Sequence, residues 1–162
     1  MKYIRKATSE DIERIRFIVE QCWGLASSDA ESKKKINLMV HNFYSYGKLT
    51  NEINNDLSTF LLAIDGELAV AFVSFKFDTS DVTSCELNAL YCLPQTQGKR
   101  FDEILVNEVI KNTVAAGGKK IFAVLTNYTG PIGLFERLGF ELVNKADPTK
   151  QEPEILVMSK NL

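Results

Sequence analysis

A chain of 162 residues, of which 45% are hydrophobic and 25% charged, has the size and composition of one globular domain. Its formal net charge of −2 at pH 7 excludes the broad positive field on which nucleic-acid binding depends. No apolar run approaches the ~20 residues that span a bilayer, and the charged N-terminus lacks the apolar stretch of a secretion signal. We therefore expect a single domain over residues 1–162 in the cytoplasm, with neither nucleic acid nor membrane as a partner.

The cysteine and histidine content argues against a metal site. Cys22, Cys85 and Cys92 form an odd set without the C-x-x-C spacing of zinc ligands. His41 is the single histidine of the sequence. We therefore expect reduced, buried thiols and no metal cofactor.

The N-terminal third is predicted to hold one strand and two helices. Lys2 to Arg5 has the pattern of a short strand, and Thr8 with Asp11 three residues later forms a capping box. Apolar residues then repeat at helical spacing from Ile12 to Cys22 and again, in a second amphipathic helix, from Ile36 to Phe43.

Three antiparallel strands are predicted next. The β-rich runs Thr59 to Ile64 and Glu67 to Phe77 are joined by Asp65-Gly66, a favoured hairpin dipeptide. A third run, Cys85 to Leu93, ends at Pro94, because proline cannot donate to a strand ladder.

The C-terminal half alternates helices and strands. The predicted elements are a helix from Phe101 to Gly117-Gly118, a strand from Ile121 to Leu125, a helix from Thr129 to Leu138, and strands Phe140 to Val143 and Ile155 to Met158. The central strand, helix and strand form a right-handed parallel crossover. The order βααβββαβαββ predicts a mixed α/β (α+β) fold: a mostly antiparallel sheet of six to seven strands with helices on both faces.

Three separated segments, in this order, resemble the GCN5-related N-acetyltransferase (GNAT) family, and with the element order the resemblance covers nearly the whole chain. They are Ile4 to Asp11, Glu86 to Lys99 and Leu134 to Phe140. The resemblance implies that acetyl-CoA is the co-substrate and that its acetyl group passes to the primary amine of a small molecule or a protein. Since Cys92 has no histidine partner in its own segment, direct transfer in a ternary complex is favoured over an acyl-enzyme.

The cofactor site implied by the resemblance lies where a strand leads into a helix. A diphosphate is best held by backbone N–H groups at a helix N-terminus, and Gln97 to Phe101 occupies such a junction. The end of the preceding strand would pair with the pantetheine arm, and a backbone N–H near Tyr91 or Cys92 would polarise the thioester. Asn127 follows the apolar strand and is either a cofactor or acceptor contact or a turn former. The predicted cofactor residues are Leu90, Tyr91, Cys92, Gln97, Gly98, Lys99, Arg100, Phe101 and Asn127.

Two features depart from the family pattern. Arg100 and Asp102 replace the small residues of the loop, and a carboxylate in the first helical turn competes with phosphate for the helix dipole. Phe135 stands where many members carry a tyrosine that protonates the CoA thiolate. Tyr128 or Tyr91 is the substitute acid, or both only pack and the thiolate leaves unaided. The alternative function is a catalytically silent ligand-binding or interaction module with weakened CoA binding.

Glu86 is the candidate catalytic base. In an alternating strand it shares a face with Asn88, Leu90 and Cys92, and two polar side chains on a central strand are best satisfied in a cleft. If they lie at a strand end, they meet only bulk water.

The acceptor pocket is predicted around Trp23, Tyr44 and Asn88. The aromatic residues of this group equally fit a core or a dimer contact. A homodimer through an edge strand near the C-terminus is compatible with either function.

Overall fold

The chain folds as a seven-stranded sheet flanked by helices, within the residues that the computed structural model describes: 1–24, 29–78, 80–81, 83–125, 132–143 and 156–162. The strands, in spatial order β1-β2-β3-β4-β5-β7-β6, are β1 (Lys2–Lys6), β2 (Ser58–Asp65), β3 (Leu68–Phe77), β4 (Ser84–Cys92), β5 (Lys120–Leu125), β6 (Glu141–Leu142) and β7 (Leu156–Asn161). The helices are α1 (Ile12–Gly24), α2 (Ala30–Phe43), α3 (Tyr46–Ile53), α4 (Phe101–Ala115) and α5 (Ile132–Arg137).

The predicted fold class is confirmed. All neighbouring strands are antiparallel except β4 and β5, which run parallel because α4 connects them in a crossover. The Asp65-Gly66 hairpin is present, and Gly66 has the positive φ of 68° that its turn requires. Residues 69–75 of β3 are all buried, as expected of a central strand covered on both faces.

One helix was missed from the sequence. Helix α3 has apolar residues at helical spacing, Tyr46, Leu49 and Ile53, but it spans only eight residues, fewer than the roughly 11–18 over which such a pattern is recognised. Ser45 caps it by accepting a hydrogen bond from the Lys48 amide at 3.2 Å. No helix in the described ranges combines the length and apolarity needed to cross a bilayer.

The pairing of β4 with β5 is short. It covers Ser84–Leu87 against residues 120–123, although β4 continues to Cys92 and β5 to Leu125. The register between β3 and β4 also skips one residue, Asn88, which is therefore a β-bulge. Beyond this bulge, within the described residues, the two central strands part and leave a wedge in the middle of the sheet.

Asp11 ties β1 to the start of α1. Its carboxylate is only 1% exposed and accepts two hydrogen bonds from the guanidinium of Arg5, at 2.7 and 2.8 Å. Arg14 adds a contact at 3.1 Å, and the Thr8 amide donates at 2.8 Å, completing the predicted capping box. The hydrogen bonds from Arg5 are the main cause that lowers the pKa of Asp11 to about 2.

Replacing Asp11 by Asn should lower the free energy of unfolding at pH 7 by about 1–2 kcal/mol, because Arg5 and Arg14 lose their anionic partner. The loss is no larger because Arg5 is partly exposed and solvent screens its attraction to Asp11. In the parent protein this stabilisation is complete above pH 3.8, the ordinary pKa of Asp, and is lost as the pH falls to about 2. Urea titrations followed by circular dichroism at pH 7, and at steps from pH 5 to pH 2, measure both effects.

The exposed Asp56 provides the matched control. Asp56→Asn should change the free energy of unfolding by less than about 0.5 kcal/mol. Equal losses in the two variants would contradict the assigned role of Asp11.

Candidate active site

The wedge exposes backbone hydrogen-bonding groups of β4. The Leu93 amide donates to the Val70 carbonyl of β3 at 2.8 Å, and backbone groups alternate between the two edges of a strand. The groups of Tyr91 therefore face β3, whereas those of Leu90 and Cys92 face the opening. The Cys92 carbonyl accepts a weak bond from the Cys22 thiol at 3.1 Å. An extended ligand arm fits this edge as an added strand.

The loop between β4 and α4 forms a cleft of about 360 Å³. A 3-10 turn at Pro94–Thr96 precedes it, and Gly98 has a φ of 87°. The backbone amides of Gly98, Arg100, Phe101 and Asp102 find no acceptor within the described part of the chain. The cleft is lined by Cys92, Leu93, Pro94, Thr96, Gln97, Gly98, Arg100, Phe101 and Asp102. Free amides at the start of a 15-residue helix make this a site for an anion such as phosphate.

The two substituted loop positions behave differently. Arg100 has φ 61° and ψ 27°, so its backbone keeps the left-handed conformation that glycine adopts freely. Asp102 turns its carboxylate back to accept a hydrogen bond from the Glu103 amide at 2.8 Å, and thereby occupies one of the helix donors. Lys99 lies 3.6 Å from Asp65, which links the loop to the β2–β3 hairpin.

A second cavity, of about 470 Å³, lies beside the wedge. Its walls are mainly aromatic, and the bulge residue Asn88 borders it together with Ala89. The lining residues are Trp23, Met39, Phe43, Tyr44, Glu52, Ser58, Phe60, Ser74, Phe75, Lys76, Asn88, Ala89 and Tyr91. We call this the aromatic cavity.

The rings of the aromatic cavity contact one another. Trp23 donates from its indole N–H to the Tyr91 hydroxyl at 3.2 Å and meets Tyr44 edge to face at 5.6 Å between centroids. Burial raises the pKa of Tyr44 well above its ordinary value, so its hydroxyl stays neutral. The structure thus brings together Trp23, Tyr44 and Asn88, the three predicted acceptor residues.

Glu86 lies in a neighbouring cleft of about 360 Å³ with Asn55, Leu57, Ser58, Lys76, Phe77 and Asp78. Ser58 and Lys76 border both this cleft and the aromatic cavity. Since Asn88 is a bulge, the expectation that Leu90 and Cys92 share a face with Glu86 is wrong. Instead, Ala89 and Tyr91 line the aromatic cavity beside Asn88, and Cys92 lines the loop cleft.

Among the described residues near β4, neither Phe135 nor the thiols of Cys22 and Cys92 can act as an acid or a nucleophile. Phe135 is fully buried and packs edge-on against Phe140 at 5.3 Å, so that position supplies no proton. Burial raises the pKa of Cys92 to about 12 and that of Cys22 to about 11, which keeps both thiols neutral and poor nucleophiles. Tyr128 and Asn127 lie outside the described residues.

The sequence reasoning missed two charged residues of the aromatic cavity. Glu52 reaches it from α3 and Lys76 from the end of β3. Glu52 was missed because the short helix α3 was not predicted, and Lys76 was missed because a lysine at the end of a predicted strand gives no sign of a site. Within the described ranges, no group of three or more His, Cys, Asp or Glu residues is arranged to hold a metal ion.

Comparisons with known proteins agree with this geometry. The model of the acetyltransferase (GNAT) family matches residues 7–140. The PaiA N-acetyltransferase from Thermoplasma acidophilum, solved in complex with coenzyme A, is similar over 100% of this chain and 99% of its own, with 22% identity and a TM-score of 0.80. A probable acetyltransferase from Staphylococcus epidermidis ATCC 12228 covers 99% of each chain at 13% identity, with a TM-score of 0.77.

An aminoglycoside 6'-acetyltransferase type Ii is similar over 98% of this chain and 96% of its own, at 16% identity and a TM-score of 0.73. At these identities the solved structures establish the fold. A comparison with curated proteins finds no match.

Replacing Arg100 by Gly should raise the free energy of unfolding by about 0.5–1 kcal/mol, because a left-handed conformation costs a side-chain-bearing residue about 1–2 kcal/mol and the extra backbone entropy of unfolded glycine offsets part of the gain. Arg100→Ala is the control, since it removes the guanidinium but keeps the Cβ that causes the strain. Urea titration should find the alanine variant close to the parent. If the alanine variant were stabilised as much as the glycine variant, backbone strain at residue 100 would not be the cause.

Proposed function

Because the chain belongs to the acetyltransferase (GNAT) family, we propose that it moves the acetyl group of acetyl-CoA to the primary amine of a small molecule or peptide, directly and within a ternary complex. One observation carries this proposal. The end of β4 runs from one site to the other: Asn88, Ala89 and Tyr91 line the aromatic cavity, and Cys92 lines the cleft at the start of α4. A cofactor in the wedge would therefore have its diphosphate at α4 and its thioester beside the cavity.

The main chain does most of the cofactor binding in this proposal. The amides of Gly98, Arg100, Phe101 and Asp102 hold the diphosphate, and the backbone of Leu90 and Cys92 pairs with the pantetheine arm. Bound acetyl-CoA supplies an activated thioester, and the Cys92 N–H polarises its carbonyl. The neutral thiols of Cys22 and Cys92 support attack by the amine itself over an acyl-enzyme.

Glu86 acts as the general base in this proposal. The acceptor amine must lose a proton, and a carboxylate within reach of a water chain accepts it. Ser58 and Lys76, which border both the Glu86 cleft and the aromatic cavity, mark the route for such a chain.

The leaving thiolate needs little help. The pKa of a thiol is about 8.5, so a thiolate is a tolerable leaving group near neutral pH. Tyr128 is our candidate for the proton donor to this thiolate, since Phe135 has no proton to give. The net charge of −2 supports a partner other than nucleic acid. We place the proposed reaction in the cytoplasm, away from a membrane, in a monomer or in a homodimer formed through an edge strand.

The second candidate function is a catalytically silent module that binds a ligand or partner and holds CoA weakly. The bond from the Glu103 amide to the Asp102 carboxylate favours it, because this bond removes one helix donor and places negative charge at the cleft. The apolar Phe135 favours it too.

Calorimetric titration with acetyl-CoA separates the two functions. An enzyme should bind it with a micromolar dissociation constant, and Asp102→Asn should tighten binding about two- to fivefold, because a repelling charge leaves the helix dipole. Glu103→Gln, at the next acidic residue of the same turn, is the control and should have little effect, since Glu103 does not line the cleft. Absence of binding at millimolar acetyl-CoA in all three proteins would favour the silent module.

Acetyl transfer from Glu86 variants tests the base. With amines that mass spectrometry identifies as acetylated, Glu86→Gln should lower kcat about 100-fold or more and remove its rise with pH. Glu67→Gln, at an exposed residue of the β2–β3 turn, should act like the parent. If Glu86→Gln kept the parental rate across the pH range, the proton would leave by another route.

A further inference from the structure

The aromatic cavity contains a carboxylate that forms no ion pair with the described residues. Glu52 of α3 lines it, and no cation of the described residues lies within 4.0 Å of its oxygens. Lys48, one turn earlier in α3, is engaged elsewhere: its ammonium group bonds the Asn42 carbonyl at 2.5 Å and lies 5.7 Å from the centre of the Phe43 ring. A cationic ligand would therefore find the carboxylate available.

Glu52 is an exposed residue, so an incoming ligand can reach its carboxylate, and its surroundings still disfavour its charged form. Desolvation raises the pKa of its carboxyl group, and the more distant charges of Lys76 and Lys48 offset only part of this effect. A carboxylate without a close cationic partner attracts an incoming ammonium group, and the aromatic wall beside Glu52 strengthens an attraction that solvent otherwise screens.

The side chains that line the aromatic cavity determine which groups a ligand can carry besides its ammonium group. Six aromatic rings line the cavity, from Trp23, Phe43, Tyr44, Phe60, Phe75 and Tyr91. Rings of this kind favour a flat apolar body and attract a cation at their faces. Among the described lining residues, Glu52 is the one carboxylate, and the ammonium group of Lys76 repels a second positive charge. Both features disfavour a dication and a sugar rich in hydroxyl groups.

We propose that the aromatic cavity takes an arylalkylamine, a single ammonium group on a short chain that ends in a ring, and that Glu52 binds this ammonium group. This inference rests on the proposed transferase function, because it names the class of amine that accepts the acetyl group. Glu52 is thus a specificity-determining residue, separate from the base Glu86.

The test uses Trp23, the single tryptophan of the chain, whose indole lines the cavity. Its fluorescence should change on titration with 2-phenylethylamine, without acetyl-CoA present. The neutral analogue 2-phenylethanol and the ring-free dication 1,4-diaminobutane should each bind at least about tenfold more weakly. Equal binding of the alcohol, or tighter binding of the diamine, would overturn the proposal.

Variants locate the effect. Glu52→Gln should weaken 2-phenylethylamine at least about tenfold and leave 2-phenylethanol within twofold, whereas Lys76→Gln should tighten the amine several-fold. Glu67→Gln is the control and should change neither ligand. Loss of both ligands in Glu52→Gln would indicate a collapsed cavity and contradict a charge-specific role.

Failure of this proposal and failure of the proposed function give different results. If 2-phenylethylamine binds through Glu52 but neither it nor any other amine is acetylated with acetyl-CoA present, the transferase function fails and the ligand class stands. If other amines are acetylated while 2-phenylethylamine does not bind, the ligand class alone is wrong.

Discussion

The parting of β4 and β5 is the constraint on which the rest of the site depends. Buried backbone amides and carbonyls are almost always paired, so a gap inside a sheet is costly unless something fills it. The strands separate after only four paired residues, and the bulge at Asn88 turns the remaining part of β4 away from its earlier register. The edge at Leu90 and Cys92 therefore offers hydrogen bonds that water or an extended ligand satisfies, and on the proposed function that ligand is the pantetheine arm.

Hydrogen bonds at both ends fix the conformation of the loop at the start of α4, including the left-handed backbone at residue 100. The Leu93 amide bonds β3, the buried Thr96 hydroxyl donates to the Leu93 carbonyl at 2.6 Å, and the Ile104 amide donates to the Arg100 carbonyl at 3.1 Å. These bonds fix both ends of the turn, so Arg100 adopts a conformation that favours glycine. The amide-lined cleft is thus a property of the fold, and the residues at 100 and 102 change its charge more than its shape.

Most of the fold could be predicted from local sequence patterns, whereas part of the site depends on tertiary packing that such patterns do not show. Three elements that depend on a few neighbouring residues were predicted and are present: the Asp65-Gly66 turn, the capping box of Thr8 and Asp11, and the helix from Phe101. The bulge at Asn88 depends on how β4 packs between its neighbours, and no sequence pattern encodes it. Trp23, Tyr44 and Asn88 were found because aromatic or polar residues are conspicuous there. Glu52 was missed because α3, with eight residues, is shorter than the window in which helical periodicity is recognised.

On the proposed function, the aromatic cavity has two opposing requirements. Binding an amine from water is easiest for the ammonium form, which a carboxylate stabilises, whereas attack on a thioester needs the neutral form. An apolar aromatic wall favours the neutral amine and so assists the attack on the thioester, but it weakens binding of the ammonium form. Two carboxylates in different places resolve this conflict: Glu52 faces the cavity from α3, and Glu86 lies in the adjoining cleft that shares Ser58 and Lys76 with it. Capture and deprotonation are then tasks of separate residues, and the ammonium group gives up its proton only after it has left bulk water.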